Sequence, residues 1–198
     1  GEARNIPELD KLSLDERLRF VPAVNQETFA EVVLDESRDV AVYFFASSGR
    51  GAESSLNGAI FVNRCAERFE ELGISTARVV RLDTSRYTTP SLVQVAEVPS
   101  LVLFPAFAKE APHQVFKGKW KVQHIMWWIQ DYASRPFKLP ELPHLDELEA
   151  KAYWEQKAEL PPDRQERVAL DSEGSKRARP AAHARKRRRR RAAAGEGE

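Results

Sequence analysis

Sulfur is nearly absent from this chain: among 198 residues there is one cysteine, Cys65, and one methionine, Met126. A lone cysteine closes no intramolecular disulfide, builds no two-thiolate metal site and leaves no pair of thiols for disulfide exchange. The four histidines, His113, His124, His144 and His183, stand far apart without ligand spacing, so neither a metal nor a cofactor is expected. No window approaches the roughly 20 apolar residues that a membrane-spanning helix needs, and no span is expected. The first residues lack the charged, apolar and small-residue succession of a secretory signal. With Gly1 in front and no initiator methionine, the sequence reads as a processed chain or a fragment that a signal peptide could have preceded. Asn5, Asn25, Asn57 and Asn63 all lack Ser or Thr two residues on, so glycosylation marks no compartment.

A net charge excess is missing too, but the formal +1 hides an asymmetry. Ten of the 31 Lys/Arg fall within residues 176–191, and two of the 30 acids lie beyond them. The preceding body, with 21 bases against 28 acids, is therefore acidic by about seven charges and the tail strongly basic. What is present, 42% hydrophobic residues and 9% aromatics, suffices for one ordinary core plus a tail.

Residues 1–19 are polar and charge-rich, with scattered leucines, and read as a linker. Phe20 to Val24 has strand texture, and Asn25 or Gln26 then opens a helix with Phe29, Val32 and Val33 on one face. Val40 to Phe45 is an uninterrupted apolar run of strand length, the pattern of a strand buried on both faces. After a loop at Ser47 to Gly51, Leu56 to Leu72 alternates Ile60, Phe61, Cys65 and Phe69 against charged residues at helical spacing, and Gly73 stops it. Arg78 to Asp83 reads as a strand, Pro90 to Ala96 as a short helix, and Leu101 to Phe104 as a strand paired with His113 to Phe116. Val122 to Ala133 closes this body, residues 20–134, as a helix. Three prolines then make a connector, followed by a helix at His144 to Leu160, so that 135–160 is a connector and helix; residues 161–198, poor in apolar side chains, are expected to be disordered. The order β α β α β α β β α combines parallel crossovers with a final hairpin.

The run Glu27-Thr28-Phe29-Ala30-Glu31-Val32-Val33 followed by Asp39-Val40-Ala41-Val42-Tyr43-Phe44-Phe45-Ala46 resembles the opening of a catalytic-type domain of the protein disulfide isomerase family. Val79 to Asp83, Val98-Pro99-Ser100-Leu101 and Phe116-Lys117-Gly118 are similar to later segments of that family in the same order. The resemblance implies a thioredoxin fold over residues 20–134, an α/β architecture with a central mixed sheet flanked by helices. It also implies a cis peptide bond at Pro99. Aligned on Phe44-Phe45-Ala46, the family's two cysteines fall on Gly49 and Ala52, or one residue earlier on Ser48 and Gly51, and neither register contains sulfur. The family's buried acid aligns with Tyr43. Disulfide exchange needs one thiolate to attack and a second thiol to resolve, so no such catalysis is expected and no catalytic residue is assigned. What the family implies instead is binding of proteins or unfolded polypeptides as a chaperone or scaffold in the lumen of the endoplasmic reticulum, alongside neighbouring thioredoxin-like domains. The binding surface would be Ser48, Gly49 and Arg50 with Val98 and Pro99, although Pro99 alone also serves turn geometry.

Three features suggest other roles. Cys65 lies on the apolar side of its helix, where cysteine behaves as a small hydrophobe; a monothiol enzyme would need it exposed beside Arg64 and Arg68. Helical spacing puts Val122, Ile125, Met126 and Ile129 inward, Trp128 on the flank and Trp127 outward, making Trp127 and Trp128 interface candidates that a neighbouring domain or the helix after residue 144 would cover. Lys176 and Arg177, a spacer, then Lys186, Arg187, Arg188, Arg189, Arg190 and Arg191 have the spacing of a bipartite nuclear localisation signal, for which importin or a non-specific anionic partner would be the ligand. No aromatic interleaves these bases to stack on nucleobases. A nuclear, nucleic-acid-associated protein is thus the alternative reading.

Overall fold

The longest apolar run becomes the strand on which the rest is built. The computed structural model describes residues 11–162 and 164, and in it β1 (Asp39–Phe45) is buried at all seven positions. Alternate side chains of a strand leave on opposite faces, so a continuous apolar run requires cover on both. β2 (Ala77–Asp83) lies parallel on one side, with Ala41 opposite Val79 and Tyr43 opposite Arg81. β3 (Ser100–Phe104) lies antiparallel on the other, with Val42 opposite Val102, and β4 (Gln114–Val115) pairs with β3. The order β2-β1-β3-β4, with a right-handed crossover expected between the parallel pair, is the mixed sheet of the thioredoxin fold.

The two faces carry separate cores. Ala41, Tyr43, Phe45, Leu101 and Leu103 pack under α3 (Ala52–Glu71) and α4 (Val122–Tyr132). Val40, Val42, Phe44, Val80 and Phe104 pack with Phe29 and Val33 of α2 (Phe29–Val33). α3 ends where expected: Gly73 has φ +67°, the Ile74 N–H reaches the Phe69 carbonyl and the Gly73 N–H the Glu70 carbonyl, both at 3.0 Å. These are the paired bonds of a Schellman cap, and they use carbonyls the helix would otherwise leave open.

Two expected elements are not formed. The strand at Phe20 to Val24 shrinks to one bridge, Ala23 to Arg81, because Pro22 has no N–H to continue a ladder. The helix at Pro90 to Ala96 is replaced by turns, with the Val93 N–H on the Pro90 carbonyl. Val93 and Val95 both pack on the α2-side core, and residues two apart reach one side from extended backbone, not from a helix.

Packing also starts earlier and ends later than the sequence suggests. α1 (Leu14–Arg17) is nucleated by a capping box between Ser13 and Glu16, and Leu18 and Val21 are buried in the α3-side core. Beyond α4, Phe137 meets Phe69 edge-on and Leu139 is buried. The buried Arg68 donates from Nε to the Pro143 carbonyl at 2.8 Å, and Arg64 from Nε to the His144 carbonyl at 3.3 Å. The connector therefore lies as a strap on α3. The chain divides by its internal packing at 144/145. In the second unit α5 (Glu147–Glu159), capped reciprocally by Asp146 and Glu149, buries no side chain, and Lys157 stands over the Trp154 ring.

Candidate functional site

The loop after β1 is held by side chains that the strands deliver to it. Asp83, the last residue of β2, is nearly fully buried, and its Oδ1 accepts from the N–H of Ser47 at 3.2 Å, the N–H of Ser85 at 3.0 Å and the hydroxyl of Ser85 at 2.6 Å. The Ser47 and Ser85 hydroxyls are 2.9 Å apart. Burial alone would raise the Asp83 carboxyl, but hydrogen bonds from Ser47 and Ser85 outweigh it and hold the group below the usual carboxylate range. The triplet thereby anchors the loop to the end of β2.

Beneath the loop, Ser55 of α3 performs two tasks. Its Oγ accepts from the Ala46 N–H at 3.0 Å, and its carbonyl accepts from the Tyr43 hydroxyl at 2.7 Å. Tyr43 occupies the place where the resemblance put an acid. Burial pushes its phenol up, so it remains a neutral donor.

The loop turns through two glycines, Gly49 at φ +74° and Gly51 at φ +87°. A Cβ on Gly51 would stand 2.7 Å from the Val98 carbonyl oxygen, so the loop lies directly against the Val98-Pro99 turn, whose peptide bond is cis. Of the surface expected from sequence, Ser48, Gly49 and Arg50 are exposed, and Val98 and Pro99 are half-buried beside them. Arg86 adds a second exposed cation, 3.5 Å from Asp83 Oδ2. Asp83 and Ser85 were not singled out in the sequence, and Gly51 only as a position where one register would place a family cysteine. The Asp-x-Ser spacing at the end of a strand, the mark of a side-chain-closed turn, is the signal that finds the first two.

Other candidates fare differently. Cys65 is fully buried in the α3-side core and burial pushes its thiol up, which is not the exposed setting that a reactive thiolate was expected to need. Trp127, expected outward, is half-buried against the α3-side core, with the His124 ring edge-on at 5.6 Å. Helical spacing missed this because it treats the helix as resting on one plane. Trp128 is likewise half-buried, tilted on Phe116 at 5.3 Å. Among the described residues no cluster of His, Cys, Asp or Glu could hold a metal ion, and no helix is long and apolar enough to cross a membrane. Lys176, Arg177 and Lys186 to Arg191 lie outside the described residues.

No protein-family model matches the chain. Solved structures with a similar chain path include the J-Trx1 fragment of ERdj5, at 12% identity and a TM-score of 0.44, covering 58% of this chain and 52% of that one. Human ERp44 in its zinc-bound form is similar at 17% identity and 0.47, covering 57% and 30%. The first thioredoxin domain of mouse protein disulfide-isomerase A4 is similar at 13% and 0.46, covering 61% and 81%. The matched region spans about half of the ERdj5 fragment and less than a third of ERp44. At these identities and TM-scores the likeness is one of chain path alone.

Proposed function

We propose that this chain carries a non-catalytic, protein disulfide isomerase-like domain that binds other polypeptides, as a chaperone or scaffold in the endoplasmic reticulum lumen. The observation that supports it is the contact of Gly51 with the Val98 carbonyl, which joins a sulfur-free loop to the Val98-Pro99 turn in one exposed surface. The loop is anchored by Asp83 and Ser85 without engaging Ser48, Gly49 or Arg50. A surface that offers backbone groups and two exposed cations, Arg50 and the Asp83-paired Arg86, suits an extended segment with acidic side chains. Affinity is modest in this reading, because pairing over a few residues must offset the ordering of a flexible ligand. The compartment rests on the family resemblance, and the pairing of such a body with a basic C-terminal run further resembles the last domain of thioredoxin domain-containing protein 16.

Calorimetric titration of unfolded-protein peptides against the wild type and Arg50→Glu tests the binding reading. Weaker binding by the variant at unchanged stability supports it, and equal affinities or no binding refute it. Insulin reduction measured against a Cys65→Ser control tests the absence of catalysis: turnover above that control refutes it. The basic run favours a second reading, import into the nucleus through importin or tethering to an anionic partner. Retention of a reporter fused to residues 176–191 in the cytoplasm would eliminate the import arm of that reading.

A further inference from the structure

β2 is the outermost named strand on its side of the sheet, and its outward backbone groups are used unevenly along its length. In a parallel ladder, alternate residues turn both N–H and C=O to the same side. Arg81 turns outward: its N–H donates to the Pro22 carbonyl at 2.9 Å, and its own carbonyl accepts from the Val24 N–H at 2.8 Å. Between strands, the Thr76 carbonyl accepts from the Asp39 N–H. The same alternation turns Ala77 and Val79 outward, and among the described residues neither backbone has a hydrogen-bond partner on that side. The segment that covers Arg81 leaves the edge below Pro22, because the Phe20 N–H is drawn toward α3 by Asn63 Oδ1 at 2.8 Å.

That divergence opens a groove of about 380 Å³ between the strand edge and the last turns of α3. Phe20, Phe69 and Ile74 supply its apolar surface, and Arg38 and Arg78 flank it against a single acid, Glu70. Among the described residues neither guanidinium makes an ion pair. An unpaired strand edge, an apolar trough and two cations outside any contact ion pair, Arg38 with Asp35 as its nearby counter-charge, thus converge at the end of β2 remote from Asp83 and the Ser47 loop.

We propose that this edge accepts an extended acidic segment of another polypeptide as an added strand on β2. Its backbone pairs with Ala77 and Val79, and its side chains alternate between the trough at Phe69 and Ile74 and the cations Arg38 and Arg78. Charge complementarity selects the occupant: a basic segment would place its ammonium groups against two guanidinium groups.

The test uses the whole chain and a fluorescein-labelled peptide of about eight residues alternating glutamate and valine. Three competitors accompany it: the lysine–valine counterpart, the same acidic peptide N-methylated at alternate amides, and a peptide of residues 1–10 of this chain. Anisotropy should show the acidic peptide binding about tenfold more tightly than the basic one, with N-methylation abolishing binding, and Arg78→Glu should weaken it about tenfold. Hydrogen exchange at Ala77 and Val79 should slow on binding. The proposal fails if Arg78→Glu leaves the affinity unchanged, if N-methylation has no effect, if exchange at those amides does not change, or if Arg50→Glu alone removes binding. Tighter binding of residues 1–10 than of the acidic peptide would likewise overturn it, since the edge would then serve the chain's own N-terminus.

Discussion

The hydroxyl of Tyr43 lies 2.7 Å from the carbonyl of Ser55, and the helix admits it because Gly58, three residues on, has no side chain. A Cβ at Gly58 would stand 2.8 Å from that hydroxyl oxygen. One buried phenol thus ties the central strand to the helix beneath the loop, and one glycine leaves room for it.

Gly58→Ala is expected to destabilise the protein by about 1–3 kcal/mol through overpacking, although glycine to alanine inside a helix ordinarily stabilises by about 1 kcal/mol. Tyr43→Phe alone should cost about 1 kcal/mol, the worth of one hydrogen bond. In the double variant the hydroxyl is gone, and most of the alanine's penalty should go with it. Urea denaturation of the four proteins measures the coupling, and additive effects would show that the two residues do not meet.

Gly51→Ala and Gly49→Ala share the backbone problem of positive φ but differ in surroundings. Nothing lies within 4 Å of a Cβ on Gly49, whereas one on Gly51 meets the Val98 carbonyl. Gly49→Ala should cost about 1 kcal/mol and Gly51→Ala at least twice that. Only the second should speed hydrogen exchange around Val98.

Stability should respond to pH at both ends. Asp83 and Asp35 carry carboxyls held low, the latter by hydrogen bonds from the Ser37 hydroxyl and N–H. Their contribution is complete above the ordinary carboxylate pKa of about 4 and is lost as pH falls through their lowered values. Asp83→Asn should therefore flatten the acid limb of the unfolding midpoint. Lys109 is brought down to about 8 by burial, against the opposing pull of Asp39, Asp35 and Glu36. Between about pH 8 and about 10.4 the unfolded chain holds a proton there that the folded one lacks, so this group makes stability rise with pH, and Lys109→Met should remove that rise.

Truncation separates the strap from the tail. Ending the chain at residue 134 removes Leu139 and Phe137 from the core, the Arg135 N–H from Asp39 Oδ2 and the Pro143 carbonyl from Arg68. The thermal midpoint should fall by several degrees, since the buried Leu139 and the partly buried Phe137 together contribute about 2–4 kcal/mol. Ending at residue 160 should change it by no more than about a degree. Calorimetry of the two truncations decides.

Elements whose signal is local were legible in the sequence. The Val40 to Phe45 run announces a strand covered on both faces, the spacing from Ile60 to Phe69 announces a helix, and Gly73 announces its end, because each depends on a repeat or a single torsion within a few residues. The adjacency of the Ser48 to Arg50 loop and Val98 followed from the family resemblance, but the contact at Gly51 that creates it, like the anchoring by Asp83 and Ser85, joins residues dozens of positions apart. The turns at 90–96 went the same way: Pro90 and the valines after it permit a helix, and only the core behind Val93 and Val95 calls for extended backbone. Asp39 is the sharpest instance. In the sequence it is one more acid ending a polar turn, yet the folded chain buries it completely and points the N–H groups of Ala106, Ser134 and Arg135 at it. Periodicity reports how a residue relates to its own element; which distant backbone will satisfy a buried carboxylate is settled only when the strands and the strap have packed.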